Sequence, residues 1–241
     1  MRLIDLSFDD PAENLALDEA LLDAAESGLA GPTLRIWESP VRFVVIGTGQ
    51  VLARVAHLTH CRADDVPVLR RCTAGGCVLQ GPGCLNYALA IPLAAWPELG
   101  RLHASYALIL ARIAAALAAR GVPAQPAGIS DLALSGHKIS VNAQRRRRRA
   151  ILHHGTLLHQ ADYDGMDRYL LEPEDRPDYR GTRNHRAFVR AVPLGPAMLR
   201  AVLREAFAAN SPPESPTSEE SAAASALAQN KYRSAEWTHR R

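Results

Sequence analysis

Residues 66–91 read VPVLRRCTAGGCVLQGPGCLNYALAI, and the order of features within them sets the expected fold class. Val66 to Leu69 is a short β-rich run that feeds straight into Arg70 and Arg71. Ala74, Gly75 and Gly76 then make a turn, where bare glycine backbone lets N–H groups approach an anion or a carbonyl closely. Cys77 to Leu79 and Leu85 to Ile91 read as two further strands, joined by Gln80-Gly81-Pro82-Gly83, where the chain folds back on itself. So many strands in so short a stretch leave no room for the long crossovers that parallel neighbours need.

The flanks extend the same pattern. Asp10 and Pro11 read as a helix start, and Leu17, Leu21 and Ala25 repeat at helical spacing until Gly28. Thr33 to Trp37 and Arg42 to Ile46 are β-rich runs on either side of Glu38-Ser39-Pro40, which predicts paired strands. Tyr106 to Ala119 is an alanine-rich helix ended by Gly121, with Pro123 beyond it. Leu132 to Leu134, Lys138 to Ser140 and Ile151 to Leu158 read as strands; Asp162 to Leu171 and Pro196 to Ala209 read as helices. Strands outnumber helices and the joins are short, so an α+β fold is expected, with a mixed, largely antiparallel sheet flanked by helices. Residues 1–209 are expected to share one core, residues 210–230, rich in Ser, Pro, Glu and Ala, to be a linker, and residues 231–241 to form a tail that regains Tyr232 and Trp237.

Composition narrows the function classes. Apolar residues make up 47% of the 241, yet no run approaches the ~18 that a membrane-spanning helix needs. The start, MRLIDLSFDD, carries acid where a secretory signal carries base, so a cytoplasmic location is expected. Cys61, Cys72, Cys77 and Cys84 crowd into one stretch without a C-x-x-C, which fits reduced, half-buried thiols better than a disulfide framework or a zinc site. A net charge of +3 is too small to imply nucleic acid as a partner.

The make-up of that charge is more informative. Of 28 basic residues only two, Lys138 and Lys231, are lysine. A lysine that survives such a bias is a candidate for chemistry that needs a compact ammonium, although a tolerant surface site would also keep one. Lys138 sits in Gly136-His137-Lys138-Ile139-Ser140, shortly after Asp131, where an ammonium can stabilise a phosphate and the charge growing on a carbonyl oxygen. The run Arg145 to Arg149 is either a solvated loop or a positive rim that steers an acidic partner. His153 and His154 are neighbours on one strand and point to opposite faces, so no metal ligated by both is expected.

Taken in order, these pieces resemble the lipoate-protein ligase branch of the biotin and lipoate ligase superfamily. The matching residues are Asn14-Leu-Ala-Leu-Asp-Glu19, Arg35-Ile-Trp37, Val45-Ile-Gly47, Arg70-Arg-x-x-x-Gly-Gly76, Leu85-Asn-Tyr87, Gly128-x-x-Asp-Leu132, Lys138-Ile-Ser-x-Asn-Ala-Gln144 and His154-Gly-Thr-Leu-Leu158. The resemblance implies the biotin and lipoate ligase catalytic-domain fold over residues 1–209. It also implies a two-step reaction in which lipoate and ATP give lipoyl-AMP, which a lysine of an acceptor attacks; the acceptor would be a lipoyl domain or a glycine cleavage H-like protein. By family position Arg71, Gly75, Gly76 and Asn86 would line the acyl-adenylate site, and Lys138 would contact its phosphate and carbonyl. Asp131 would bind the adenylate or a magnesium ion brought by ATP, and His154, Gly155 and Thr156 would border the acyl tunnel. Ala74, Gln80, Cys84 and Val141 depart from the family pattern, and the chain stops just after a segment that resembles the approach to an accessory domain. A separate accessory subunit is therefore expected to be needed for adenylation. The alternatives are an octanoyltransferase that passes octanoate through a cysteine thioester, for which no cysteine lies beyond Cys84, and a non-catalytic lipoate or lipoyl-domain binding module.

Overall fold

Strand β6 (Cys84–Pro92) organises the structure, a computed structural model that describes residues 1–240. All its residues but the last are buried, as in a strand covered on both faces. It pairs antiparallel with β2 (Thr33–Trp37) on one edge and with β10 (Ala150–Leu158) on the other. The sheet continues outward from β2 to β1 (Arg2–Asp5), the one parallel neighbour, and from β10 through β9 (His137–Arg146) and β8 (Asp131–Leu134) to β7 (Gln125–Ala127). A smaller sheet has β3 (Phe43–Ile46) between β4 (Val68–Arg70), parallel, and β5 (Val78–Gln80), antiparallel. The fold is therefore α+β with a mixed, largely antiparallel sheet.

Alternation along β6 divides the core. Leu85, Tyr87, Leu89 and Ile91 join α3 (Leu102–Ala118) and α6 (Pro196–Ala206) in one cluster. Ala88 and Ala90 lie on the other face, where their small side chains admit Leu17 and Leu21 of α1 (Pro11–Glu26). Asp10 caps α1 by accepting from the Ala12 N–H at 2.7 Å, as its sequence position before Pro11 predicts. The smaller sheet packs on α2 (Leu58–Ala63), α4 (Tyr163–Tyr169) and α5 (His185–Phe188), with Ile46, Leu79, Met166 and Phe188 at the centre. Among the described residues no helix is long and apolar enough to cross a membrane.

Three expectations are corrected. The runs around Glu38-Ser39-Pro40 do not pair: β2 belongs to the large sheet and β3 to the small one. The same holds for β5 and β6, because Gly81 (φ +150°) and Gly83 (φ +94°) swing the chain from one sheet to the other instead of closing a hairpin. Residues 210–230 are not an unstructured linker. They contain α7 (Ser218–Leu227), opened by a capping box between Thr217 and Glu220 and packed on α1, with Ala224 in the shared cluster and Glu220 bonded to Arg2 at 2.5 Å. The tail also folds, through a π-helical turn (Ala228–Tyr232) into α8 (Ala235–His239); its last residue, Arg241, lies outside the described residues.

Candidate active site

A cleft of about 660 Å³ opens between the two sheets. Its walls are the glycine turn and β5, the β8 and β9 strands with the turn before them, and the segment 170–189. Lys138, near the start of β9, and Asp131, at the start of β8, meet on one wall with Nζ 2.9 Å from Oδ2. The main chain of Lys138 is itself fixed, since its carbonyl accepts from the Arg190 N–H at 2.9 Å. Its ammonium also lies 5.5 Å from the centre of the Phe188 ring, within range of a cation–π attraction. Tyr179 donates to the same Asp131 oxygen at 2.7 Å; burial and the Asp131 charge push its phenol pKa up, so it remains a donor. Nothing in the sequence around Tyr179 signals this contact.

Across the cleft, the glycine turn is held from behind. Arg71 is 6% exposed and donates to the carbonyls of Ala74 at 2.7 Å and Gly76 at 2.8 Å, and to Thr73 Oγ1 at 2.9 Å. Burial lowers its pKa to about 10, which leaves it charged near neutrality. Arg70, fully buried, donates to the carbonyls of Gly47, Gln50 and Thr238 at 3.1, 2.7 and 2.7 Å. Both of these neighbouring guanidinium groups hold main chain. Gly47 is required for the same reason, because a Cβ there would lie 2.0 Å from the Gly75 carbonyl oxygen. Gly75 itself has φ +90°.

The remaining expected residues lie deeper, around a cavity of about 40 Å³ that shares Val78, Gln80, Val141, Asn142 and Thr156 with the cleft. Arg71, Asn86, His154, Gly155 and Thr156 all line it. Gln80, Thr156 and Asn86 close a ring of side-chain hydrogen bonds at 2.8, 2.6 and 2.9 Å, so the departure at Gln80 is built into the wall. Tyr87 donates to Asn142 Oδ1 at 2.5 Å, and Asn142 donates to the Ser130 carbonyl at 2.7 Å. Gly155 makes room for this contact: a Cβ there would sit 1.7 Å from Asn142 Oδ1. His154 Nε2 is 2.7 Å from Thr73 Oγ1, and its Nδ1 is 3.3 Å from Asp18 Oδ2. Asp18 and Thr73 thereby join the site; neither stood out in the sequence as a site residue.

All four cysteines are free thiols, as expected, and only Cys77 reaches the cleft. Burial pushes the Cys72, Cys77 and Cys84 thiols up to about 12, far from the thiolate a nucleophile needs. Among the described residues no group of three or more His, Cys, Asp or Glu could hold a metal ion.

The arginine run fits neither reading fully. Arg145 donates to the Cys72 carbonyl at 2.9 Å, Arg146 to those of Leu99 and Gly100 at 2.7 Å, and Arg147 pairs with Asp23 at 2.9 Å. Only Arg148 and Arg149 are exposed, and they lie beyond the far end of β9, roughly 27 Å along the strand from Lys138. The second lysine is no loose tail residue either: Lys231 pairs with buried Glu19 at 2.6 Å and lies 4.2 Å from the centre of the Trp237 ring.

The family model for the lipoyl protein ligase A/B catalytic domain matches residues 10–200. An Aeropyrum pernix protein of the lipoate-protein ligase A type is 35% identical over 162 residues, which cover 67% of this chain and 58% of that relative, so the match spans little more than half of its length. Octanoyltransferase LipM of Symbiobacterium thermophilum is 30% identical over 234 residues, covering 86% of this chain and 84% of the relative. Among solved structures, a lipoate-protein ligase A bound with ATP superposes with a TM-score of 0.83 at 23% identity, covering 99% of this chain and 98% of that one. A structure of a bipartite lipoate protein ligase and its E2 lipoyl domain from Thermoplasma acidophilum gives 0.79 at 23% identity, covering 99% and 95%. These two establish the shared fold. The family match and the identity to LipM together show that this chain belongs to the lipoyl protein ligase A/B catalytic domain family.

Proposed function

We propose that the chain is a lipoate-protein ligase that works through an acyl-adenylate. Lipoate carboxylate attacks the α-phosphate of ATP, giving lipoyl-AMP and pyrophosphate. The amine of an acceptor lysine then attacks the lipoyl carbonyl, AMP leaves, and an amide remains. The observation that carries this reading is the Lys138–Asp131 pair at 2.9 Å in the wall of a cleft whose other wall is the bare backbone of Gly75 and Gly76. A point charge on one side and main-chain N–H groups on the other suit a phosphate joined to a polarised carbonyl.

In this reading Lys138 stabilises the phosphate and carbonyl oxygens, and Asp131 holds Lys138 in place. Gly75 and Gly76 approach the adenylate, and Arg71 supports them from behind. Asn86, His154, Gly155 and Thr156 bound the inner, acyl end. Magnesium would arrive with the nucleotide: Asp131 is a single carboxylate whose Oδ2 is already engaged, which fits an ion held mainly by phosphates and water. The acceptor would be a lipoyl domain or a glycine cleavage H-like protein. The solved bipartite ligase supports a separate accessory subunit for the adenylation step.

Similarity to LipM over most of the chain favours one alternative, octanoyl transfer through a cysteine. The absence of cysteine beyond Cys84 and the raised thiol pKa values weigh against it. To decide between them, an acceptor domain is incubated with the chain and either lipoate plus ATP or an octanoyl carrier protein, then weighed by mass spectrometry. Lipoyl addition in the ATP arm is expected. Octanoyl addition from the carrier alone would move the chain to the octanoyltransferases.

A further inference from the structure

The polarity of one buried hydrogen-bond chain can be worked out donor by donor. Arg71 can only donate, so Thr73 Oγ1 accepts from its Nε at 2.9 Å. The Thr73 hydroxyl proton still needs an acceptor, and among the described residues His154 Nε2, 2.7 Å away, is the one within hydrogen-bond distance. That nitrogen must be an acceptor, which places the ring proton on Nδ1, facing Asp18 Oδ2 at 3.3 Å. Asp18 Oδ1 is in turn fixed by Arg35 at 2.6 Å, and Arg35 is anchored on the Asn14 carbonyl at 2.6 Å. Asp18 and Thr73 are each 1% exposed, and Arg35 is fully buried.

The connectivity is that of a hydroxyl–imidazole–carboxylate triad, but Thr73 is no nucleophile. Its oxygen is buried and one of its lone pairs faces Arg71. The chain instead ends on the glycine turn, because Arg71 Nη2 holds both the Ala74 and Gly76 carbonyls. Helix α1 is thus connected through β10 to the residues that line the cleft, by side chains far apart in sequence.

We propose that Asp18, His154 and Thr73 are positioning residues that set the shape of the glycine turn and, through it, the seating of the acyl-adenylate. The second half of this statement rests on the acyl-adenylate reading; the first half does not. Three variants and one double variant test it: Asp18→Asn, Thr73→Val, Thr73→Ser and Asp18→Asn with Thr73→Val. Amide hydrogen exchange at residues 74–77 and single-turnover transfer from synthetic lipoyl-AMP are measured on each.

Asp18→Asn and Thr73→Val are each expected to speed exchange in the turn by about tenfold, the effect of one buried hydrogen bond. They should raise the half-saturating lipoyl-AMP concentration more than they lower the maximal rate. Thr73→Ser should restore both. The double variant should be no worse than the worse single one, since all members act through one chain. Unchanged exchange in Asp18→Asn, or a double variant equal to the product of the singles, would overturn the proposal. If Asp18→Asn fails to fold because Arg35 loses its partner, Thr73→Val with His154→Gln makes the same comparison. A wild-type chain that does not use lipoyl-AMP yet shows the coupled exchange would count against the function and leave the relay standing.

Discussion

Replacing Lys138 by arginine conserves charge and tests whether the site needs a point charge. In the structure the ammonium rests 2.9 Å from Asp131 Oδ2, with Tyr179 donating to the same oxygen and the Phe188 ring 5.5 Å away. A guanidinium at this position would meet Asp131 with two parallel N–H groups and be drawn onto the wall, away from the cleft. The pair would survive, and with a partly exposed cation it contributes only ~1 kcal/mol or less to stability. The kinetic effect should be much larger. Removing one preorganised charge contact costs roughly a hundredfold, or about 2.7 kcal/mol of transition-state stabilisation. Lys138→Arg should therefore transfer from lipoyl-AMP about as slowly as Lys138→Ala, while its urea midpoint stays near wild type. Single-turnover transfer and urea unfolding on the same preparations read both quantities. A Lys138→Arg chain at the wild-type rate would refute the assignment.

Other perturbations probe the support of the site. Gly155→Ala would place a Cβ 1.7 Å from Asn142 Oδ1 and 2.9 Å from the Tyr87 ring, which forces apart a buried hydrogen bond; a loss of about 3 kcal/mol is expected by urea unfolding, and a wild-type midpoint would contradict the packing. Lys231→Ala should cost ~2 kcal/mol, because Glu19 stays buried with Tyr232 as its remaining close donor, whereas Lys231→Arg should change neither stability nor transfer much; equal stability of the alanine and arginine variants would contradict this. Burial lowers the His153 pKa to about 3, so the fold holds this ring neutral. Between about pH 6.5 and 3 the unfolded chain binds a proton that the folded chain does not, and stability should fall as pH falls, by up to ~1.4 kcal/mol per unit. His153→Gln should flatten that acid limb, and an unchanged slope would show that other groups set it.

What the sequence made legible was local. Pro11 behind Asp10, the apolar spacing to Ala25 and the runs at Thr33 and Leu85 mark α1, β2 and β6 by propensity and capping that operate within a few residues. Strand neighbours were not legible, since alternation tells which face of a strand is buried and not which strand lies beside it. This is why β5 and β6 read as a hairpin although they sit in different sheets. The helix in the supposed linker did carry a signal, the Thr217-x-x-Glu220 capping box, outweighed by the surrounding serine and proline. Within the site, Lys138 emerged from the arginine bias and Asp131 from the resemblance, and the fold brings them together. Tyr179 and Thr73 left no trace, and although Asp18 and His154 fall in segments that carry the resemblance, nothing showed that they meet, because contacts between residues 48 to 136 positions apart have no local pattern. The buried guanidinium groups of Arg70 and Arg71 hold carbonyls of distant loops and of the glycine turn, contacts the sequence around them did not announce.

The central claim is that the acyl group travels as an adenylate and never as an enzyme thioester. Its most direct test follows the intact masses of the chain and of an acceptor domain, quenched at intervals after synthetic lipoyl-AMP is added, with an octanoyl carrier protein in a parallel series. The account predicts that the acceptor gains one lipoyl group from lipoyl-AMP, that the chain carries no acyl adduct at any time, and that the carrier series stays unmodified. An octanoyl adduct on the chain, mapped to Cys77 and formed before the acceptor gains mass, would contradict it.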